Sequence, residues 1–353
     1  MRKLILNVHL AIALVAGVFI AILGTTGAVL AFEPELDRLQ HHKTAYVRPS
    51  GKTLSLGAIG DAVSQKYPGE PIVAYLPSEL PDSPTLVILS RGIVSVNQYT
   101  GEILGVRTRG QSVLGMIRAL HVRLAMGEFG RVILKWSSLA TLVSLLSGMY
   151  LWWPVKRMRI GGAWWSPRFW FDFHSSIGFF SLIPVLLLAG TGVVFGFENE
   201  FASLIGRASV PRTVRQDRTS TANTEQTGAT EISPDQAVAI AGARVPGALP
   251  YRVQMPRYGG SYVVAFNNPQ DRVTGRRNFI SVSPASGRLT SVNLSSDLTF
   301  AERFIAVNGA IHTGSIWGMP TRIIAALASI LLPLQGLSGL MIWLRRKGLL
   351  HRH

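Results

Sequence analysis

The sequence predicts an α-helical membrane protein: four transmembrane helices arranged as a duplicated two-helix repeat, with two extracytoplasmic α+β domains. Three observations predict this fold class. Of the 353 residues, 48% are hydrophobic and only 15% are charged, whereas soluble domains carry about 25% charged residues. Four apolar segments reach the roughly 20 residues that a helix needs to cross a bilayer. The motifs of the first half of the chain also recur in the second half.

The apolar segments divide the chain into helices, connections and tails. They lie at 8–32, 132–153, 174–197 and 322–344. The first is longer than the roughly 7–15 apolar residues of a signal peptide, and it recurs later in the chain, so we expect it to be retained. The predicted order is helix 1–32, domain 33–110, interfacial segment and helix 111–153, loop 154–173, helix 174–197, linker and domain 198–305, interfacial segment and helix 306–344, and tail 345–353.

Charge sets the orientation and the class of partner. The net charge is +16, which is typical either of nucleic-acid binding or of a membrane protein with basic loops. The low total charge favours the membrane, so we expect contact with lipids and none with nucleic acid. The N-terminus, the loop 154–173 and the C-terminal tail together hold ten basic residues against one acid, Asp172. The positive-inside rule places these three parts in the cytoplasm.

The repeat has constant offsets. His9 and the dipeptide Thr26-Gly27 recur 165 residues later as His174 and Thr191-Gly192. His121, Ser147-Gly148 and Trp152 recur 191 residues later as His312, Ser338-Gly339 and Trp343. Both halves run in the same direction, so the pseudo-twofold axis is expected to lie along the membrane normal.

The two outer segments repeat as well. Residues 54–69 match 232–247 at an offset of 178, and both have the apolar spacing of a helix. Strand-like runs follow at 85–89 and 93–98 in the first copy, and at 261–266 and 278–283 in the second. Each copy therefore predicts a small domain of one helix and a sheet. The polar stretch 209–230 is interpreted as a linker.

Four histidines are candidates for the chemistry. Among the eight histidines, His41, His42, His351 and His353 lie in polar stretches and are interpreted as solvated. The repeat pairs the other four, which are His9, His121, His174 and His312. An ionisable residue at a span is a functional candidate. The alternative is a histidine that only hydrogen-bonds a neighbouring helix.

The topology sorts these histidines into two pairs. His9 and His174 lie near the cytoplasmic ends of their helices, whereas His121 and His312 lie on the outer side. Two imidazoles that face one another can be the axial ligands of a b-type haem, which needs no cysteine; the chain has none. We therefore expect two b-type haems. For His121 to reach the axis, the chain has to bend at Gly127 and Gly130.

Arginines near the outer pair are candidate partners for haem propionates. They are Arg118, Arg123 and Arg303. Binding to lipid phosphates or plain solvation explains them equally well. The small residues Gly24, Gly27, Gly190 and Gly192 permit a close approach of either helices or a flat macrocycle.

Taken together, these motifs resemble the PepSY-associated transmembrane helix family, also called iron-regulated membrane proteins. The resembling residues include Leu120-His121, Gly130-Arg131, Trp152-Trp153-Pro154 and Ile311-His312-Thr313-Gly314, and the outer repeats resemble PepSY modules. Within that family the chain looks most like the FoxB-type dihaem siderophore reductases of the bacterial inner membrane. The resemblance implies an oxidoreductase that reduces a ferric siderophore on the periplasmic side and releases Fe(II). It also implies haem ligation by His9, His121, His174 and His312.

The sequence does not identify the electron donor, and it is compatible with two other functions. The chain has no GxGxxG motif and no flavin-domain extension, so a membrane quinol or a separate cytoplasmic reductase is expected to supply electrons. A membrane-anchored PepSY binding or regulatory protein is one alternative, although an anchor does not need four matched histidines. A siderophore or iron transporter is another, although no acidic residue lies deep in a span and Lys135 is the only basic one.

Overall fold

The computed structural model describes residues 1–108, 112–154, 156, 158–164, 166–198, 200–201, 231–257, 259–271, 273 and 276–349. The expected linker 209–230, Arg157 of the loop, and the tail histidines His351 and His353 lie outside the described residues. The chain forms two compact units. The helical unit contains Met1–Pro34, Val113–Arg207 and Ile305–His353, and the sheet unit contains Glu35–Ser112 and Ala208–Phe304.

The described residues form helices and strands in the following order along the chain. The helices are α1 (Arg2–Leu30), α2 (Glu33–Gln40), α3 (Leu56–Lys66), α4 (Val113–Arg123), α5 (Gly127–Trp152), α6 (Pro167–Gly196), α7 (Pro234–Gly242), α8 (Phe300–His312) and α9 (Met319–Arg346). The strands are β1 (Ile72–Leu76), β2 (Thr85–Leu89), β3 (Gly92–Val96), β4 (Ile103–Thr108), β5 (Leu249–Gln254), β6 (Tyr262–Asn267), β7 (Asn278–Val282) and β8 (Leu289–Asn293).

Four helices of the helical unit are long and apolar enough to cross a membrane: α1, α5, α6 and α9. They occupy the four predicted segments, but each begins earlier than predicted. The largest difference is at α6, which begins at Pro167 and not near His174. Ser166 caps this helix by accepting a hydrogen bond from the Phe169 backbone N–H at 3.1 Å, and proline suits the first helical position. His174 therefore lies inside the helix.

These four helices pack as a ring in the order α1, α9, α6, α5. The α1–α9 contact is close because Gly24 has no side chain: a Cβ there would lie 2.5 Å from the carbonyl oxygen of Ser329. Glycine thus permits the approach of two backbones, as small residues do in membrane helix pairs.

A sharp reversal connects each short helix to the span that follows it. Between α4 and α5, Leu124, Ala125 and Gly127 have φ angles of 49°, 56° and 61°. Gly130 then packs on the Arg123 carbonyl, where a Cβ would lie 1.8 Å from the oxygen. The chain therefore bends at 124–127, which includes Gly127, whereas Gly130 lies inside α5 and permits the close return of the chain. After this bend α4 packs against α1. Between α8 and α9, Gly314 and Gly318 have positive φ.

One antiparallel sheet of eight strands forms the sheet unit, in the order β4-β3-β2-β1-β5-β6-β7-β8. Strands from the two outer segments therefore share a single sheet, whereas the sequence led us to expect two separate domains. The two sets of strands join where β1 pairs with β5 and Tyr75 lies opposite Val253. These two residues are 178 positions apart, which is the repeat offset. The physical reason for joining is that β1 and β5 would otherwise be open edges with unpaired backbone groups.

Helices α3 and α7 pack with the sheet around one core. Its fully buried side chains include Ile59 of α3, Ala237 of α7, and Val87, Val264 and Phe266 of the strands. The first residues of α3 are capped from the other repeat, since Asp235 accepts hydrogen bonds from the backbone N–H groups of Leu56 and Gly57 at 2.7 and 2.9 Å. This carboxylate ties the N-termini of the two helices together.

Candidate functional site

The structure brings the four candidate histidines together as two facing pairs. His9 on α1 faces His174 on α6, with ring centres 6.3 Å apart. His121 on α4 faces His312 on α8, and their ring centres are also 6.3 Å apart. Each pair takes one histidine from each half of the chain.

This separation fits a metal ion held between two imidazoles. A metal–nitrogen bond is about 2.0 Å and the ring centre lies roughly 1.1 Å behind the nitrogen, so two imidazoles on opposite sides of one ion place their ring centres about 6 Å apart. Among the described residues, no group of three or more His, Asp or Glu side chains converges on one point. A metal at either pair would therefore need ligands besides the described side chains, and a macrocycle such as haem is one group that could supply them.

A hydroxyl group on a neighbouring helix contacts the Nδ1 atom of each of the four paired histidines. Thr26 lies 2.9 Å from Nδ1 of His121, and Thr191 lies 2.9 Å from Nδ1 of His312. In the other pair, Ser147 lies 3.0 Å from Nδ1 of His9. Ser338 lies 2.9 Å from Nδ1 of His174. These hydroxyls contact Nδ1 and not Nε2. The Nε2 atom of each ring is the one that a metal-binding histidine then uses as its ligand atom.

These hydroxyl contacts also determine the tautomer. The hydroxyl of Thr26 donates its single proton to the carbonyl of Ile22 at 2.6 Å, and that of Thr191 donates to Leu187 at 2.7 Å. Each hydroxyl oxygen can then only accept from the histidine. Nδ1 therefore carries the proton and Nε2 keeps its lone pair. Nδ1 of His9 also carries the proton, because it lies 3.1 Å from the carbonyl oxygen of Ser144, which can only accept a hydrogen bond.

A glycine follows each hydroxyl residue and packs against the histidine ring. A Cβ at Gly27 would lie 3.2 Å from Cε1 of His121, and one at Gly148 would lie 3.3 Å from Cε1 of His9. The corresponding distances are 3.6 Å at Gly192 and 3.4 Å at Gly339, toward His312 and His174. The repeated Thr-Gly and Ser-Gly dipeptides thus do two things: the hydroxyl orients the ring and the glycine makes room for it.

The two pairs lie at different depths of the helical unit. Thr26, which contacts His121, is 17 residues after His9 on α1, or about 25 Å along a helix. His121 and His312 lie outside the four candidate spans.

Burial, and to a smaller extent the neighbouring His312, lowers the pKa of His121 to about 4. Burial also lowers the pKa of His312. Both rings are therefore neutral at physiological pH, as metal ligation requires.

The three candidate propionate arginines are placed differently. Arg118 lies one turn before His121 on the same side of α4, and it forms an ion pair with Glu33. Arg123 is exposed and lies two residues after His121, on the far side of the helix. Arg303 is exposed and lies nine residues before His312, on the opposite face of α8. Only Arg118 is thus brought to the side of a paired histidine.

The sequence reasoning missed the role of the hydroxyl residues, although it used them as markers of the repeat. The available signal was that a Thr or Ser accompanies each paired histidine at a constant offset. It also missed Asn308, which is buried on α8 and donates to the carbonyl of Thr191 at 3.2 Å. This hydrogen bond from Asn308 holds Thr191 in place in the second half. The corresponding residue of the first half is Ile117, whose apolar side chain cannot make such a bond.

Comparison with known families agrees with this architecture. The model of the PepSY-associated TM region matches residues 6–346 of the chain. Comparison with curated proteins returns no significant match. Because the family match covers all four spans, both histidine pairs and the sheet unit, the chain belongs to the PepSY-associated TM region family.

Proposed function

We propose that this membrane protein is a dihaem oxidoreductase that carries electrons across the bacterial inner membrane and reduces a ferric siderophore on the periplasmic side. His9 and His174 hold one b-type haem on the cytoplasmic side. His121 and His312 hold the second on the periplasmic side. Each electron converts one chelated Fe(III) to Fe(II), which the siderophore holds less tightly. A membrane quinol or a cytoplasmic reductase supplies the electrons, and both termini are cytoplasmic.

The observation that carries the proposal is the geometry of the two pairs. Both have ring centres 6.3 Å apart, and in both the hydrogen bonds to Nδ1 leave Nε2 free for a metal. A pair of histidines that only stabilised helix packing would have no reason to repeat this separation twice. A bound haem supplies the one-electron chemistry. The chain contributes ligation, ring orientation and a buried setting on rigid helices.

A pyridine haemochrome assay on the purified full-length protein tests the cofactor. We expect two b-type haems per chain, and about one after His9→Ala or His312→Ala. His42→Ala is the control, because His42 is exposed and belongs to neither pair. A colourless protein, or a haem content that is unchanged in both pair variants, contradicts the proposal.

A proteoliposome assay tests the reaction. With a reductant enclosed and a ferric siderophore outside, we expect Fe(II) to appear outside, where an Fe(II)-specific chelator detects it. Loss of this signal in His9→Ala is expected, because electrons then cannot pass the inner pair. Uptake of intact siderophore without any reductant supports the transporter alternative and contradicts a reductase.

A further inference from the structure

Two buried N–H groups near the His9–His174 pair have no acceptor in the part of the chain that the structure describes. They are Nε1 of Trp170, on α6, and Nε of Arg345, on α9; neither has a hydrogen-bond partner among the described residues. A buried donor without an acceptor costs free energy, so native proteins rarely keep one without a reason. Two such donors at one end of the bundle indicate an acceptor that binds there.

The helix register places both donors on the same side of the pair. His174 contacts Ser338 at 2.9 Å, and Gly178, one turn further along α6, contacts Gln335. The helices α6 and α9 therefore run antiparallel. Trp170 is four residues before His174, about 6 Å along the axis, and Arg345 is seven residues after Ser338, about 10 Å along it. Residues four or seven positions apart lie on the same face of a helix, so Trp170 shares a face of α6 with His174, and Arg345 shares a face of α9 with Ser338. Both donors lie beyond His174, toward the end of the bundle where α6 begins.

The charges around the donors favour an incoming carboxylate. A guanidinium and an indole N–H both donate, and charge-assisted hydrogen bonds to a carboxylate are the strong ones. The nearby acid Asp172 is buried, but it lies 200° around α6 from Trp170 and its carboxylate faces Arg168 at 3.6 Å. Arg346, which follows Arg345, is exposed. Within the described part of the chain neither donor has an acceptor, so Arg345 presents its positive charge next to the His9–His174 pair.

We propose that Trp170 and Arg345 bind a propionate carboxylate of the haem held between His9 and His174. The inference rests on the proposed dihaem function and adds a binding site to it. A haem propionate is an acceptor on a flexible arm at the edge of the macrocycle, so it suits donors that lie one to two turns beyond the ligand. The site orients the haem and raises its reduction potential, since a nearby positive charge stabilises the more negative, reduced form.

Haem titration of the full-length apoprotein tests this site with a probe that lacks the carboxylates. In the His312→Ala background, so that one pair remains, we expect Trp170→Phe and Arg345→Gln each to weaken haem binding about tenfold. Neither variant should change the affinity for haem dimethyl ester. The matched controls are Trp343→Phe and Arg346→Gln, on the same turn of α9, and they should leave both affinities unchanged. Equal losses for haem and its ester, or no loss for either, overturn the inference.

A redox titration of the protein with both pairs intact gives a second readout. Arg345→Gln should lower one of the two haem midpoint potentials and leave the other unchanged. The affected potential should be the one that disappears in His9→Ala. Two unchanged potentials, in a protein that binds two haems, contradict this inference alone. Absence of haem from the His9–His174 pair in the unaltered protein contradicts the proposed function itself.

Discussion

At the scale of single residues, a hydroxyl contacts Nδ1 of each paired histidine, and those of Thr26 and Thr191 fix the tautomers of His121 and His312. The sequence alone predicted the pairing, because the offsets 165 and 191 relate His9 to His174 and His121 to His312. It could not predict the role of the hydroxyls. A serine or threonine in an apolar helix usually bonds to its own helix, and Thr26 does so as well. Only the packing of α4 on α1 shows that its oxygen also accepts from His121.

The substitution Thr191→Val tests this role. Valine has nearly the same shape and no hydroxyl, so Nδ1 of His312 loses its acceptor and the ring loses its fixed orientation. Losses of such outer partners typically weaken metal affinity 10–100-fold. We expect a loss of about tenfold in haem affinity at the His121–His312 pair, measured by haem titration of the apoprotein.

Thr141→Val is the matched control for Thr191→Val. The Thr141 hydroxyl is buried on α5 and donates to the Ser137 carbonyl at 2.8 Å, within its own helix. This variant should keep both haems at full affinity. If the two variants behave alike, the hydroxyl of Thr191 stabilises the helix and does not orient the histidine.

At the scale of elements, sequence periodicity predicted the spans well and the sheet only in part. Long apolar runs specify helices strongly, and the errors at their ends arise from capping, as Ser166 shows at α6. The strands β2, β3, β6 and β7 lie within or close to the predicted runs. Strands β1 and β5 were not predicted. β1 is a short apolar run without alternation, and β5 carries a proline and two polar residues. These two strands join the halves of the sheet, so the joining could not be foreseen.

The contact between α3 and α7 gives a prediction at this scale. Asp235 of α7 accepts from two backbone N–H groups at the start of α3, where a negative charge also interacts favourably with the helix dipole. Asp235→Ala should therefore destabilise α3 by about 1–2 kcal/mol. Hydrogen exchange measured by mass spectrometry on the full-length protein should show faster exchange in Leu56–Lys66.

Asp61→Ala serves as the control for Asp235→Ala. Asp61 is exposed on α3 itself, so its loss removes a charge from the same helix without removing a cap. Exchange in α3 should stay unchanged in this variant. Unchanged exchange in Asp235→Ala would mean that the N-terminus of α3 does not depend on the carboxylate of the other repeat.

At the scale of the whole molecule, the two halves depend on one another in both units. Each histidine pair combines one residue from each half, and the sheet is continuous only through the β1–β5 contact. The hydroxyl contacts, in contrast, stay within a half: Thr26 with His121 in the first, and Thr191 with His312 in the second. Each half therefore orients its own two histidines but completes neither pair.

Splitting the chain tests this dependence. A break within 158–164, in the loop between the end of α5 at Trp152 and the start of α6 at Pro167, separates the halves without cutting a described helix or strand. Co-expressed halves should co-purify and bind two haems, because both ligand pairs and the β1–β5 contact form again between them. Either half expressed alone should lack the spectrum of haem with two histidine ligands, since it holds one histidine of each pair. If one half alone gives that spectrum, its histidines pair without the other half, and the two halves are then not mutually required for ligation.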